Sequence, residues 1–520
     1  MKRMKKWLIG ALCCILTLSG CLASCGGIGT VDGGDLSQGA PDYSNSTKEF
    51  MTWAYSATYD GWWQTIDENK NFIRLENSEE TPVAVTTRES LQEYKDAGFN
   101  TLLINYVFPF NSLTENWANS RTKQIMDWAA ELDLKCVIFE GCIRGLANTN
   151  ESLINPDKAD GKNFFNSQEE INAYVYSNIK EVIAHPAFYG FSVVDEPAYT
   201  VFPAFGQVYA AVQACAPDAF VNMNLLGMGT DHNSNTTTKY CENAGSMDIY
   251  DAYMQHITMY ADYTKAPYIQ VDVYPIKGSD EAPTIAANAI RTPQVLAEFC
   301  KERDMDFYYV LQTSGFTVGF NDAVTPICRN PKKRDMYWQT NVAMAFGVKS
   351  YSYWGYYPVV NTASEHYDEK SSFLDIAGNK NDMYYWMQDI HKEMQIMAKA
   401  LLNFDYCTSG VYYKGPIPGY KLHVSGMGKG TYTELTSYEA ETAGAFLITE
   451  LYDKDNDRYG YFVVNVTDPA YSGASKTKLT FDEFDRVQIY DRGNVSNKAL
   501  KNNTLSLELS YGQGMFVIPY

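Results

Sequence analysis

The chain has 520 residues, 45% hydrophobic and 20% charged, the balance of a soluble globular protein with ample core-forming material. At about 150 residues per domain its length suggests two or three domains, although some single domains take about 250. The formal charge of −20 argues against nucleic acid or an anionic lipid surface as partner, because both need a positive face.

In chain order, the first feature is a targeting segment. MKRMKK is basic, and WLIGALCCILTLSG is apolar but too short to span a bilayer. LSGC (18–21) and LASC (22–25) each resemble the lipobox of bacterial lipoproteins. That resemblance implies cleavage before Cys21 or Cys25, with lipid attached to that cysteine. Cys21 directly follows the apolar core, whereas Cys25 is trailed by two glycines. On this reading residues 1–25 are a leader and the protein is extracytoplasmic, held to the bacterial membrane or outer surface by its lipid alone. Residues 26–47, rich in Gly, Ser, Asp and Thr, read as a flexible tether.

From about residue 50, short β-rich runs alternate with amphipathic helical patterns. The runs are FMTWAY (50–55), NTLLINY (100–106), KCVIFEG (135–141) and GFSVVDE (190–196), followed by FVNMNLL (220–226), YIQVDVYP (268–275), DFYYVLQT (306–313) and KSYSYWGY (349–356). Segments such as TRESLQEYKDAG, QEEINAYVYSNIKEVI and PQVLAEFCKERD lie between them. Strands each followed by a helix or long crossover predict a (β/α)8 barrel over residues 48–403. A doubly wound open sheet is the rival, but no Gly-rich phosphate loop follows the first strand.

From Phe404 to Tyr520 only short, alternating strand-like runs remain, separated by Gly, Asp and Asn. They predict an all-β sandwich over residues 404–520. DKDNDRYG (453–460) starts like a Ca²⁺ loop, yet its glycine is misplaced and Val464 stands where a bidentate Glu belongs. It reads better as a hairpin tip. The seven cysteines after Cys25 contain no CxxC pair, which argues against a disulfide framework. The six histidines show no ligand spacing, and no HExxH, GxSxG or P-loop occurs, so neither a metal nor a cofactor is expected.

Barrel chemistry gathers at the C-terminal ends of the strands. Here those ends carry Trp53 and Tyr55; Asn105 and Tyr106; Glu140, with Arg144 just beyond; Asp195 and Glu196; Asn222 and Asn224; Asp272 and Tyr274; Gln312; and Trp354, Tyr356 and Tyr357. Carboxylates and amides bond sugar hydroxyls, while Tyr and Trp offer an apolar face with a polar tip. The expected partner is therefore a carbohydrate. Cleaving a glycosidic bond takes one protonated acid and one ionised carboxylate. Glu196 is the candidate acid, since Asp195 and partial burial both raise its pKa. The bland alternative is a turn in which Asp195 caps the helix starting near Pro203.

GFSVVDEP, preceded by HPAFYG, resembles the fourth strand of (β/α)8 glycoside hydrolases, the broad clan that includes β-galactosidases and cellulases. NMNLLG, VDVYPI, YVLQTSG and SYSYWGYYP resemble the later landmarks of secreted bacterial members of that superfamily. The resemblance implies a glycoside hydrolase, and a strand-seven Glu as nucleophile. This chain has Gln312 there, and a glutamine cannot attack an anomeric carbon. The second carboxylate is then Asp272, or Glu140, and because strands four and six are not adjacent the wider, inverting separation of about 6.5–9.5 Å is expected. The remaining site residues (Trp53, Asn105, Tyr106, Glu140, Arg144, Asp195, Asn224, Tyr274, Gln312, Trp354 and Tyr357) are expected to bind substrate. Two further readings stay open: a carbohydrate-binding lipoprotein without catalysis, and an ABC-type solute-binding lipoprotein.

Overall fold

The computed structural model describes residues 36–58, 78–79, 83–104, 117–229, 237–320, 323–358, 365–367, 372–417 and 428–520, with two short strands at 64–66 and 72–74. Cys21, Cys25, Asn105 and Tyr106 lie outside them. No helix among the described residues is long and apolar enough to cross a membrane.

The eight predicted strands form one parallel sheet: β1 (Met51–Ala54), β2 (Thr101–Ile104), β3 (Lys135–Ile138), β4 (Phe188–Asp195), β5 (Phe220–Leu225), β6 (Tyr268–Asp272), β7 (Asp306–Gln312) and β8 (Ser350–Trp354). Neighbours follow chain order from β2 to β8, and β8 pairs with β1. Asn100 closes the ring between β1 and β2: it donates its N–H to Thr52 O at 3.3 Å, while its Oδ1 accepts from Thr52 N at 2.9 Å. The longer helices are α1 (Arg88–Asp96), α2 (Arg121–Glu131), α3 (Gln168–Ile183), α4 (Phe202–Cys215), α5 (Ile249–Thr264), α6 (Arg291–Arg303), α7 (Lys333–Ala345) and α8 (Asp382–Leu401). In α3 the buried residues are Ile171, Val175, Ile179 and Val182, one apolar stripe at helical spacing, and Ser167 caps its first turn. This is a (β/α)8 barrel, and a single ring of strands is not the two-lobed form of an ABC-type solute-binding protein.

The all-β region is a sandwich of two antiparallel sheets. Its strands are β9 (Asp405–Lys414), β10 (Leu435–Ala440), β11 (Gly444–Asp453), β12 (Arg458–Asn465), β13 (Ala474–Phe481), β14 (Arg486–Asp491), β15 (Asn494–Ala499), β16 (Thr504–Ser510) and β17 (Gly514–Pro519). One sheet runs β9-β11-β12-β17-β14-β15, the other β10-β13-β16. Both faces of the larger sheet are buried, so alternate residues enter different cores. Phe462 and Val464 of β12 join the barrel-side core, whereas Tyr461 and Val463 join the core between the sheets. Residues 453–460 form the β11–β12 hairpin, with Asp453 paired to Arg458.

Two features depart from the sequence reading. Residues 36–47, expected to belong to a free tether, lie against the sandwich: Tyr43 donates to Asp453 Oδ2 at 2.7 Å, and Gln488 donates to Pro41 O at 3.0 Å. A further five-stranded antiparallel sheet, from segments at 276–278, 283–285, 316–320, 323–328 and 365–367, is built from the excursions after β6, β7 and β8. All seven cysteines among the described residues are unpaired.

Candidate functional site

The site starts from an irregularity in β4. Ser192 pairs with Asn222 on β5, but Asp195, three residues on, pairs with Asn224, two residues on. The extra residue is a β-bulge between Ser192 and Val194. With strict alternation Ser192 and Val194 would share a face. The bulge instead puts Asp195 on the face of Ser192, Asn222 and Asn224. β4 then ends, and Glu196 has φ +43°. Such a backbone costs a non-glycine residue about 1–3 kcal/mol, and a residue before proline ordinarily prefers an extended chain. Contacts hold it there: Glu196 N donates to Asn224 O at 2.9 Å, and Lys239 Nζ donates to Glu196 O at 3.0 Å.

Three carboxyl groups gather around Asn224. Asp195 is exposed at the barrel mouth, and its Oδ1 accepts from Asn224 Nδ2 at 2.9 Å. Enclosure by protein raises its pKa, against the pull of Asn224, Lys239 and Arg144. Asp272, at the end of β6, is buried, and its Oδ2 accepts from the Tyr274 hydroxyl at 2.9 Å. Burial, then the charge of Asp195, pushes Asp272 up to about 7. Glu196 lies within hydrogen-bond reach of Asp272, side chain to side chain. Burial, then the charges of Asp272 and Asp195, raises the Glu196 pKa well above its ordinary value, which favours the protonated form beside Asp272.

Aromatic rings wall one side. Trp354 at the end of β8 lies 5.5 Å from Tyr55 and 6.1 Å from Tyr274, ring centre to ring centre. Tyr274 in turn meets Phe316 at 6.3 Å. Beneath them, Gln270 Nε2 donates to the Tyr55 hydroxyl at 3.2 Å. Trp354 Nε1 and Asn224 Oδ1 are buried without a hydrogen-bond partner in the protein. Such a set of strand-end side chains can give up a proton from Glu196, accept one at Asp272, and stack an apolar ring face. Among the described residues no cluster of His, Cys, Asp or Glu has the makings of a metal site.

The geometry gathers Asp195, Glu196, Asn224, Asp272, Tyr274 and Trp354 at one mouth. Arg144 joins them through its charge on Asp195, its guanidinium lying 4.5 Å from the centre of the Phe139 ring. Four other expected site residues are placed differently. Trp53 is fully buried inside the barrel, edge-on to Phe220 at 6.4 Å, because it sits on the strand proper and not beyond it. Glu140 caps the short helix Gly141–Ala147, its Oε2 accepting from Ile143 N at 2.7 Å. Tyr357 is buried against Tyr356, 5.4 Å between ring centres. Gln312 is consumed by backbone: Oε1 accepts from Ile276 N at 2.9 Å, and Nε2 donates to the carbonyls of Ile276, Ser314 and Arg329 at 3.1–3.2 Å.

The expected wide spacing also fails. Glu196 and Asp272 come within hydrogen-bond reach although β5 separates β4 from β6, and Glu196 leaves its strand in a left-handed turn. Asp195 caps no helix; α4 starts without a side-chain cap. Sequence reasoning passed over Lys239, which sits in a short 3₁₀ turn, Thr237–Lys239, with no periodicity to mark it. Gln270 was findable, two residues before Asp272 on the same face of β6.

No protein-family model and no curated protein matches the sequence. Among solved structures, the chain is similar to a glycoside hydrolase family 5 protein from Bacteroides vulgatus (9% identity, 89% of this chain and 95% of that one, TM-score 0.45). It is also similar to an α-amylase from Geobacillus thermoleovorans (10% identity, 91% and 98%, TM-score 0.45). A third is a GH30 endoxylanase from Clostridium papyrosolvens (12% identity, 91% and 98%, TM-score 0.37). Likenesses this distant carry no argument about activity, and the fold rests on the strand order itself.

Proposed function

We propose that this protein is a glycoside hydrolase acting on a poly- or oligosaccharide, with Glu196 as the proton donor and Asp272 as the second carboxylate. The observation that carries the reading is the juxtaposition of the Glu196 and Asp272 carboxyls at the barrel mouth, each raised in pKa by burial and by acidic neighbours. In the free site the two carboxyls lie within hydrogen-bond reach of each other. A sugar ring seated between them replaces that contact. Glu196 then protonates the glycosidic oxygen, while Asp272 faces C1 or the water that attacks it. Trp354, Tyr274 and Tyr55 supply the stacking wall, and Asp195, Asn224 and Arg144 meet hydroxyls. The leader pattern supports surface anchoring by lipid at Cys21 or Cys25.

Glu196→Gln keeps the side-chain shape but has no acidic proton to give. Reducing-sugar release across a glycan panel is expected to fall by at least about 100-fold in this variant, with sugar binding retained. Undiminished release would remove Glu196 from the acid role. Gln312 favours a second reading, a carbohydrate-binding protein without turnover, because its amide cannot serve as nucleophile and is committed to backbone. Binding without release by the wild-type chain is the outcome that selects it.

A further inference from the structure

Glu196 stands in a conformation that its own type and the following proline both disfavour, and two hydrogen bonds to its backbone oppose that preference. One comes from the sheet, Glu196 N to Asn224 O. The other comes from a side chain, Lys239 Nζ to Glu196 O at 3.0 Å. The turn that carries Lys239 is itself fixed. The next residue, Tyr240, is fully buried, donates its hydroxyl to Gly227 O at 2.5 Å and accepts from Gly229 N at 2.7 Å. Its ring packs on Tyr253 and His256 of α5, at 5.3 and 5.2 Å. Lys239 is therefore held beside the end of β4 by a neighbour, Tyr240, that is bonded to Gly227 and Gly229 and packed on α5.

We propose that Lys239 is a positioning residue, which holds Glu196 in its left-handed turn and keeps the carboxyl directed at Asp272. The inference rests on Glu196 being the proton donor. A neutral donor could supply the same hydrogen bond, but not the charge. Around the Glu196 carboxyl stand Asp195 from β4, Asp272 and Tyr274 from β6, and Tyr240 and Lys239 from the β5–α5 connection. The charge of Asp195 also reaches Tyr55, just after β1, and Arg144, after β3. The field of Lys239 reaches both Asp195 and Glu196, and it eases the ionisation of each. Its removal has two separable effects: the turn relaxes, and Glu196 binds its proton more tightly.

The test is the full-length chain carrying Lys239→Met or Lys239→Arg, assayed for glycoside hydrolysis against pH. Lys239→Met is expected to lower kcat about ten- to hundredfold with KM little changed, the loss typical of a misdirected catalytic group. Because the acid form of Glu196 is the working form, the alkaline limb of the kcat profile moves to higher pH in this variant. Lys239→Arg restores most of kcat and the limb. An unchanged kcat and limb overturn the proposal, as does a fall in thermal stability with the limb unmoved, which marks a merely structural lysine. A crystal structure of Lys239→Met decides independently of activity. Glu196 still at positive φ with its carboxyl on Asp272 overturns the proposal, and a relaxed turn upholds it. A wild-type rate in Glu196→Gln is a different failure, that of the proton-donor reading.

Discussion

At the scale of single residues, Gln312 explains why β7 ends without an acid. Its Nε2 faces three backbone carbonyls, and only an amide can donate to them while accepting from Ile276 N. Gln312→Glu would set a buried carboxylate against those oxygens. The expected result is a loss of about 3 kcal/mol or more in denaturant unfolding, and no gain in hydrolysis. Equal stability would show that the carbonyls find other donors. The strand-end reading set Asp195, Glu196, Asn224 and Asp272 at the ends of β4, β5 and β6, where the structure has them, because position on a barrel strand follows from local pattern. It misplaced Gln312, whose type looks like a sugar ligand and whose partners lie 17 and 36 residues away in the chain. It passed over Lys239 for the same reason.

At the scale of the element, β4 is decisive, since it carries both neighbouring acids. Its close approach to β5 depends on Gly190, where a Cβ would fall 1.9 Å from Phe220 O. Backbone cannot yield there as a flexible side chain would, so Gly190→Ala must push the two strands apart. We expect it to cost about 3 kcal/mol by urea titration and to abolish hydrolysis even at temperatures where the chain stays folded. Full activity in that variant would mean that the β4–β5 register tolerates displacement. The bulge beside Val193 could not be read from GFSVVDE, because its apolar run is compatible with either parity. Two sandwich strands, β10 and β15, carry no clear strand pattern in the sequence. Both are polar edge strands, and in β15 nearly every side chain is exposed, so no alternation of apolar residues marks it.

At the scale of the whole molecule, barrel and sandwich share one core. Trp338 and Asn341 of α7 bond Val466 O and Gly512 O, at 3.3 and 2.9 Å, and Phe462, Val464 and Phe516 continue the barrel's apolar cluster. Neither unit can lose the other without exposing this surface. The chain is therefore expected to melt in one calorimetric transition, which Trp338→Ala lowers as a whole by about 3–5 kcal/mol. Two separated transitions would show that the interface is an ordinary domain contact.

What the sequence by itself determined is the order and kind of the elements: eight βα units and then strands, with acids at the ends of β4 and β6. Those features are written in the spacing of near neighbours, where periods of 2 and 3.6 sort apolar from polar faces. The tertiary structure decided which groups meet. Contact between Glu196 and Asp272, the backbone staple at Gln312 and the lysine beneath Glu196 all join residues on different elements. They depend on a bulge, one left-handed residue and the closure of the ring, each setting a side chain's direction by distances that no local pattern encodes.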